Sequence, residues 1–395
     1  MKLLYISALS SVRLVNEAHR SSGQNPGFAI QKFSRLLAKG FVQNGVDVDV
    51  LSVPPLFLNS KIFISTRNEI EDNIRYNYVP IINARALRHL CVFVYTMFYV
   101  LSWGIKNRKH GIVVFDVLKI SMSIAGLLAA KIVRLKTVGL VTDMPGLMVG
   151  AQKRWHSNII STINKSYLGA FSYYVFLTEQ MNAVINKKNR PYIVMEGLVD
   201  VDLSKEYSRV EKCCPKTLLY AGGLHERYGL KMLVDAFVSL NREDWQLVIY
   251  GSGPYEDELR EVSANTPNVI YKGVAPNEEV VDAEYKASLL VNPRPTTEEF
   301  TQYSFPSKNM EYMVSGTPLL TTKLPGMPTE YYDYIYLFEE ETTEGYESKL
   351  KELFNISEKD LEEKGAKARE FVLAVKNNNV QTYRVLKMCK GNFTR

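Results

Sequence analysis

Short apolar runs recur along the chain with room for one helix between successive runs, and this alternation limits the fold to a few layered α/β architectures. Lys2–Ile6 is the first run. A Gly/Asn/Ser loop at Ser21–Gly27 and a helical pattern at Phe28–Asn44 follow, with Gly45 where a helix end favours glycine and a second strand predicted at Val46–Val53. Strand, glycine loop, helix, strand is the unit of a doubly wound sheet. Further strands are predicted at Ile112–Phe115, Thr137–Thr142 and Tyr173–Leu177. The pattern restarts at Thr217–Tyr220 and continues through Trp245–Tyr250, Val269–Tyr271, Ser288–Val291 and Pro318–Thr321. With 395 residues, two α/β halves meeting near residues 198–212 is the simplest organisation, and each half is large enough to bury a core without disulfides or a structural metal.

Composition excludes disorder, collagen and a coiled-coil rod: 46% of residues are hydrophobic and 23% charged. The four cysteines (Cys91, Cys213, Cys214, Cys389) show no C-x-x-C spacing, and with five histidines a zinc site is not expected; a reduced, cytoplasmic protein is. The N-terminal apolar run turns polar by Ser7, too soon for a signal peptide.

The charge is divided unevenly. Residues 1–200 hold 24 Lys and Arg against 11 Asp and Glu, a net +13, while the remainder holds 24 against 31, a net −7. A basic first half predicts an anionic partner: membrane headgroups, a lipid pyrophosphate or nucleic acid. No aromatic-basic motif accompanies the charge, so nucleic acid is not expected. Leu90–Trp103 is almost wholly apolar and flanked by Arg85, Arg88, His89, Lys106, Arg108 and Lys109. It is shorter than the roughly 20 residues that span a bilayer. A helix over 89–106 is predicted, buried as a crossover or lying in a membrane interface, with a true transmembrane span as the remaining alternative.

The most specific stretch is Tyr303–Pro318, YSFPSKNMEYMVSGTP. Pro306 fits the first position of a helix and Gly316 the position just past its end. The N–H groups of Ser307, Lys308 and Asn309 would then be first-turn donors, an anion site to which Lys308 adds a full charge. Glu311 falls one turn further along the same side, where a carboxylate can accept two ribose hydroxyls. Pyrophosphate and ribose together are what a nucleotide presents.

This stretch resembles the donor-binding signature of glycosyltransferase family 4, in its Phe-Pro-Ser-Lys variant common among enzymes of bacterial surface-polysaccharide synthesis. Glu311 takes the second Glu of the family pattern, Ser315–Pro318 its Gly-x-Pro turn, and Tyr303 stands at the position of the first Glu. Leu218–Leu230, LLYAGGLHERYGL, is similar to the family's strand and glycine turn; Gly223 and Tyr228 occupy positions usually basic, which leaves Arg227 as the candidate phosphate contact beside Gly222 and Gly223. Gly251 in IYGSGP and Lys272–Gly273 in VIYKGV resemble the loops near the nucleotide. In the first half, Gly27 resembles the family's glycine near donor phosphate and acceptor, and Asp143 in VTDMPG matches a position of catalytic His or Asp.

The resemblance implies a GT-B fold: two doubly wound Rossmann-like domains facing a central cleft, at 1–200 and 201–376, with a last helix at 377–395 returning to the first. It implies a retaining glycosyltransferase using a nucleoside-diphosphate sugar of UDP or GDP type, a glycan or lipid-linked acceptor, no metal and no cofactor beyond the co-substrate, working at the inner face of the cell membrane. Asp143, Arg227 and Lys308 would be the catalytic residues, and Gly27, Gly222, Gly223, Gly251, Lys272, Gly273, Tyr303, Ser307, Asn309 and Glu311 would bind the donor. A catalytically inactive nucleotide-binding subunit and a sugar-nucleotide 2-epimerase are the alternatives. Asp47-Val48-Asp49 and Asp200-Val201-Asp202 match a metal-binding D-x-D pattern, but the first sits in an alternating strand whose polar face it would line. No G-x-G-x-x-G or Walker loop supports a dehydrogenase or an ATPase.

Overall fold

A computed structural model of the chain describes residues 1–23, 27–55, 63–82, 84–144, 166–205 and 211–391. The chain divides into two units: Met1–Leu198 together with the segment from Asn378 onward, and Val199–Asn377.

The first unit runs β1 (Lys2–Ser7), α1 (Val12–Ser22), α2 (Phe28–Gln43), β2 (Asp47–Ser52), β3 (Phe63–Ile64), β4 (Glu69–Glu71), β5 (Ile74–Tyr78), β6 (Ile81–Ile82), α3 (Arg85–Asn107), β7 (Gly111–Asp116), α4 (Ile120–Ile132), β8 (Lys136–Val141), β9 (Tyr173–Phe176), α5 (Glu179–Ile185) and β10 (Tyr192–Val194). Eight strands form one sheet in the order β10-β9-β8-β7-β1-β2-β5-β4, with β4 the antiparallel member. Its central strands are buried on both faces, which is why they read as continuous apolar runs. On one face Leu3, Tyr5, Val48, Val50, Ile112 and Val114 pack with Leu37 and Phe41 of α2. Leu386 and Cys389 of the unit's last helix join the same cluster.

The second unit runs β11 (Lys216–Ala221), α6 (Leu230–Leu240), β12 (Trp245–Tyr250), α7 (Glu256–Asn265), β13 (Val269–Gly273), α8 (Asn277–Lys286), β14 (Leu289–Asn292), α9 (Ser307–Ser315), β15 (Leu319–Thr321), β16 (Tyr336–Leu337), α10 (Thr343–Phe354) and α11 (Glu358–Val375). Its sheet is wholly parallel in the order β13-β12-β11-β14-β15-β16. Counted within the unit this is 3-2-1-4-5-6, so the winding reverses between β11 and β14. A crevice opens at the carboxyl ends of such a strand pair, and ligands bind there in open α/β sheets. α12 (Asn378–Lys390) then belongs to the first unit and lies on α2, where a side chain at Gly40 would collide with the Asn378 carbonyl. Asn44 Nδ2 seals that contact on Asn379 O (2.8 Å) and Thr382 Oγ1 (3.0 Å).

Every predicted strand is present to within two residues at either end. The sequence reading missed α1, which Ser11 caps by accepting the Leu14 N–H, and the short strands β3–β6, β10 and β16. Strands of two to five residues with polar or mixed faces lack a pattern long enough to register. Asp47 and Asp49 do more than line a polar face. Both hold Arg75 of β5 (2.5 and 2.6 Å), and Asp49 also accepts the indole N–H of Trp103 at 2.7 Å.

That last bond fixes α3. Val92, Thr96, Val100 and Trp103 are buried, and Gly104 lets the helix lie tightly on Val133 and Leu135 just after α4. The opposite side exposes Leu87, Leu90, Val94, Phe98 (67%) and Ile105 (70%). The stretch Leu87–Asn107 is long and apolar enough to cross a membrane by length and composition. Its inner side nonetheless belongs to the unit's own packing, as a buried crossover helix would require, and its outer side is apolar and exposed.

Candidate functional site

Three glycine turns close the carboxyl ends of β11, β12 and β13. Gly251 has φ +133°, and a side chain there would strike the Gly222 carbonyl oxygen, so only glycine permits the two turns to nest. The Gly222 N–H donates to Tyr250 O (3.1 Å) and the Gly251 N–H to Gly273 O (2.8 Å). Tyr220 Oη donates to Gly223 O (2.8 Å), and Tyr271 Oη to Gly251 O (2.9 Å). The predicted residues Gly222, Gly223, Gly251 and Gly273 therefore stand together on one edge of the sheet, with Lys272 exposed beside them.

Helix α9 is tied to the same edge. Tyr312 Oη accepts the Ala221 N–H at 2.9 Å, and Asn292 Nδ2 donates to Asn309 Oδ1 at 2.6 Å. Pro306 precedes the helix with extended backbone and Gly316 ends it in the left-handed conformation at φ +78°. Ser307 is exposed at its start, and Tyr303, closing the 3-10 turn Glu299–Tyr303, is half-buried.

Two expectations change here. The Asn309 N–H is bonded to Pro306 O (3.0 Å), so Asn309 fastens the helix to β14 instead of offering a first-turn donor. Lys308, expected as a full positive charge for phosphate, bridges Glu284 of α8 (3.1 Å) and Glu311 (2.9 Å). Burial opposes the Lys308 ammonium, but Glu311 and Glu284 outweigh it and raise its pKa. The arrangement neutralises Lys308 and holds the Glu311 carboxylate in one place.

Cationic charge of another kind lies at the switch point. Arg227, in the exposed 3-10 turn Glu226–Tyr228, has its guanidinium 5.7 Å from the Tyr228 ring centre and 5.1 Å from that of Phe300. Arg294, two residues past β14, faces the same rings at 4.9 and 5.5 Å. No ion pair joins either guanidinium to a carboxylate among the described residues. Burial lowers the Arg294 pKa, and Arg227 adds to that, against the Tyr228 and Tyr220 phenols. Arg294 and Phe300 escaped the sequence reading. The available signal was an arginine between two prolines just past the predicted strand Ser288–Val291, at a strand end where parallel sheets place ligands.

Two predicted residues lie in the first unit. Gly27 starts α2 at φ +81°, a conformation that favours glycine. Asp143 follows β8, half-buried, its Oδ1 accepting the Met144 N–H at 2.8 Å. Burial raises its pKa and the Met144 bond only partly offsets that. Pro145 and Gly146 of the VTDMPG motif lie outside the described residues, as do positions 24–26 of the first glycine loop.

The arrangement in the second unit suits an anion with hydroxyl groups attached: glycine backbone, two guanidiniums and a fixed carboxylate on one sheet edge. Residues 215–355, within this unit, match the family described as Glycosyl transferases group 1. No curated protein matches the chain. Among solved structures, a glycosyltransferase from Rickettsia africae is similar with a TM-score of 0.65 at 14% identity, over 99% of this chain and 98% of that one. Sucrose-phosphate synthase from Thermosynechococcus elongatus gives 0.61 at 14% identity over 100% of both chains. HepE from Anabaena in complex with UDP gives 0.62 at 12% identity, over 99% and 100%. These likenesses establish the fold, the GT-B architecture with two doubly wound α/β units.

Proposed function

We propose that this protein is a retaining, metal-independent glycosyltransferase that moves a sugar from a nucleoside-diphosphate donor to a glycan acceptor carried on a lipid, in polysaccharide synthesis. The observation that carries the reading is the switch point of the second unit. Close-packed glycine turns, the Arg227 guanidinium and the Glu311 helix lie there within the matched domain. Glu311, fixed by Lys308, accepts the ribose hydroxyls, and Ser307 and Arg227 meet the diphosphate.

As the glycosidic bond breaks, negative charge grows on the departing phosphate. Fixed cations and N–H groups stabilise that charge without reorganising. The acceptor hydroxyl attacks from the side the nucleotide leaves, and the departing phosphate takes its proton, so no strong protein base is needed. Asp143 orients acceptor or donor sugar. HepE, solved with UDP, with UDP and glucose, and with UDP-glucose, supports a donor of UDP type.

Thermal unfolding with UDP, GDP, ADP, CMP and dTDP, each with and without EDTA, tests this. Stabilisation by one diphosphate, unchanged by EDTA, is expected. No shift with any of them moves the inactive-subunit reading ahead.

The first unit supports an acceptor held at a membrane. Its net charge of +13 over residues 1–200 and the exposed apolar side of α3 favour peripheral binding at the anionic inner face of the cell membrane. Co-sedimentation with phosphatidylglycerol vesicles at low salt, lost when Phe98 and Ile105 are both replaced by serine, is the expected result. Equal sedimentation of the variant rejects this side of α3 as the contact.

A further inference from the structure

Arg294 is the most awkwardly placed charge in the second unit. It is largely buried and its Nε has no hydrogen-bond partner. Its charged and phenolic neighbours are Arg227, Tyr228 and Tyr220, with no carboxylate among them. A guanidinium carries five donors, and withdrawing such a group from water without partners is costly. A second guanidinium over the same two rings adds repulsion.

The backbone nonetheless holds Arg294 firmly. Pro293 and Pro295 flank it, Thr322 Oγ1 donates to its carbonyl, and Pro293 O sits where a side chain on Gly229 would go. Gly229 begins α6 directly after the Arg227 turn, so the end of β14 is pressed against the loop that follows β11. These are the two strands between which the winding reverses.

We infer that Arg294 and Arg227 form a two-guanidinium clamp for the sugar-bearing, distal phosphate of a nucleoside diphosphate, with Tyr228 and Phe300 as the wall that sets both planes. The inference rests on the donor-site reading above and adds a residue and a division of labour to it. Glu311 and the start of α9 hold the ribose and the proximal phosphate. The distal phosphate supplies the acceptor oxygens Arg294 lacks and cancels the repulsion between the arginines. It also accounts for the neutral residues at 223 and 228: Tyr228 serves as a stacking surface for arginines from two loops.

Calorimetric titration of the full-length protein with UDP and UMP, or GDP and GMP where the thermal panel selects guanine, tests this. Wild-type protein is expected to bind the diphosphate at least about tenfold more tightly than the monophosphate. Arg294→Met should weaken diphosphate binding by about thirtyfold, roughly 2 kcal/mol, and monophosphate binding by less than about threefold. Arg294→Lys keeps the charge without the planar fork and should fall between them; it serves as the test if the methionine variant does not fold. Diphosphate affinity unchanged in the variants, or equal losses for mono- and diphosphate, overturns the clamp while leaving the donor site standing. Wild-type protein that binds none of these nucleotides overturns both.

Discussion

Lys308 and Arg294 are both cations held at the carboxyl edge of the second sheet, yet their surroundings are opposite. Lys308 sits between Glu284 and Glu311, and its charge is matched within the fold. Arg294 faces Arg227 and two aromatic rings and has no carboxylate. A matched cation organises its neighbours; an unmatched one depends on a partner from outside. The sequence reading placed the phosphate-binding charge at Lys308, because a lysine at the start of a helix looks available in one dimension. Glu311 lies one turn away on the same helix, but Glu284, 24 residues upstream, becomes visible only when α8 packs beside α9.

The sharpest way to break this comparison is to separate stability from binding. Glu284 is nearly inaccessible, so Lys308→Met removes the ammonium from a buried carboxylate. Losing one partner of a buried pair is expensive, and since Lys308 is itself about one-third exposed, a destabilisation of about 2 kcal/mol is expected. Arg227→Met removes a charge with no carboxylate partner, held only by exposed contacts to the Tyr228 and Phe300 rings, and should cost less than about 1 kcal/mol. Urea unfolding of both variants without ligand checks the pair. Equal losses would mean that Arg227 is as much a part of the fold as Lys308 is.

Much of the architecture was legible in sequence because buried parallel strands must be apolar on both faces; β7, burying all six residues from Gly111 to Asp116, is the clearest case. Glycines that permit close approach were also legible, and Gly251 against Gly222 shows why. What stayed hidden depends on partners distant in sequence. Trp103, at the end of an apolar run, gave no sign that its indole would reach Asp49. Arg294 belongs to no recognised motif, and its meaning comes from Tyr228 and Arg227, more than sixty residues earlier. The two faces of α3 could not be told apart by composition, since Phe98 and Val100 are equally apolar while one is exposed and the other buried.

Asp143 extends the comparison to an anion, with a smaller effect. Burial raises its pKa, one backbone N–H lowers it, and no cation among the described residues contributes, so its ionised form is penalised in the folded chain. A carboxyl group whose folded pKa lies above its unfolded value lowers stability as pH rises through that interval and costs nothing below the ordinary value of 3.8. Asp143→Asn keeps the shape and removes the charge. The variant should therefore gain a little stability at pH 7, less than about 1 kcal/mol because half the group is solvated. The gain should shrink to nothing as the pH falls toward 3.8. Transfer activity should drop at the same time, since a carboxylate accepts sugar hydroxyls on both oxygens and an amide on only one. Thermal unfolding of both proteins from pH 3.5 to 7.5, beside an assay of sugar transfer, reads both effects. A variant that loses stability at pH 7 would show that Asp143 is a structural turn residue whose charge the fold uses.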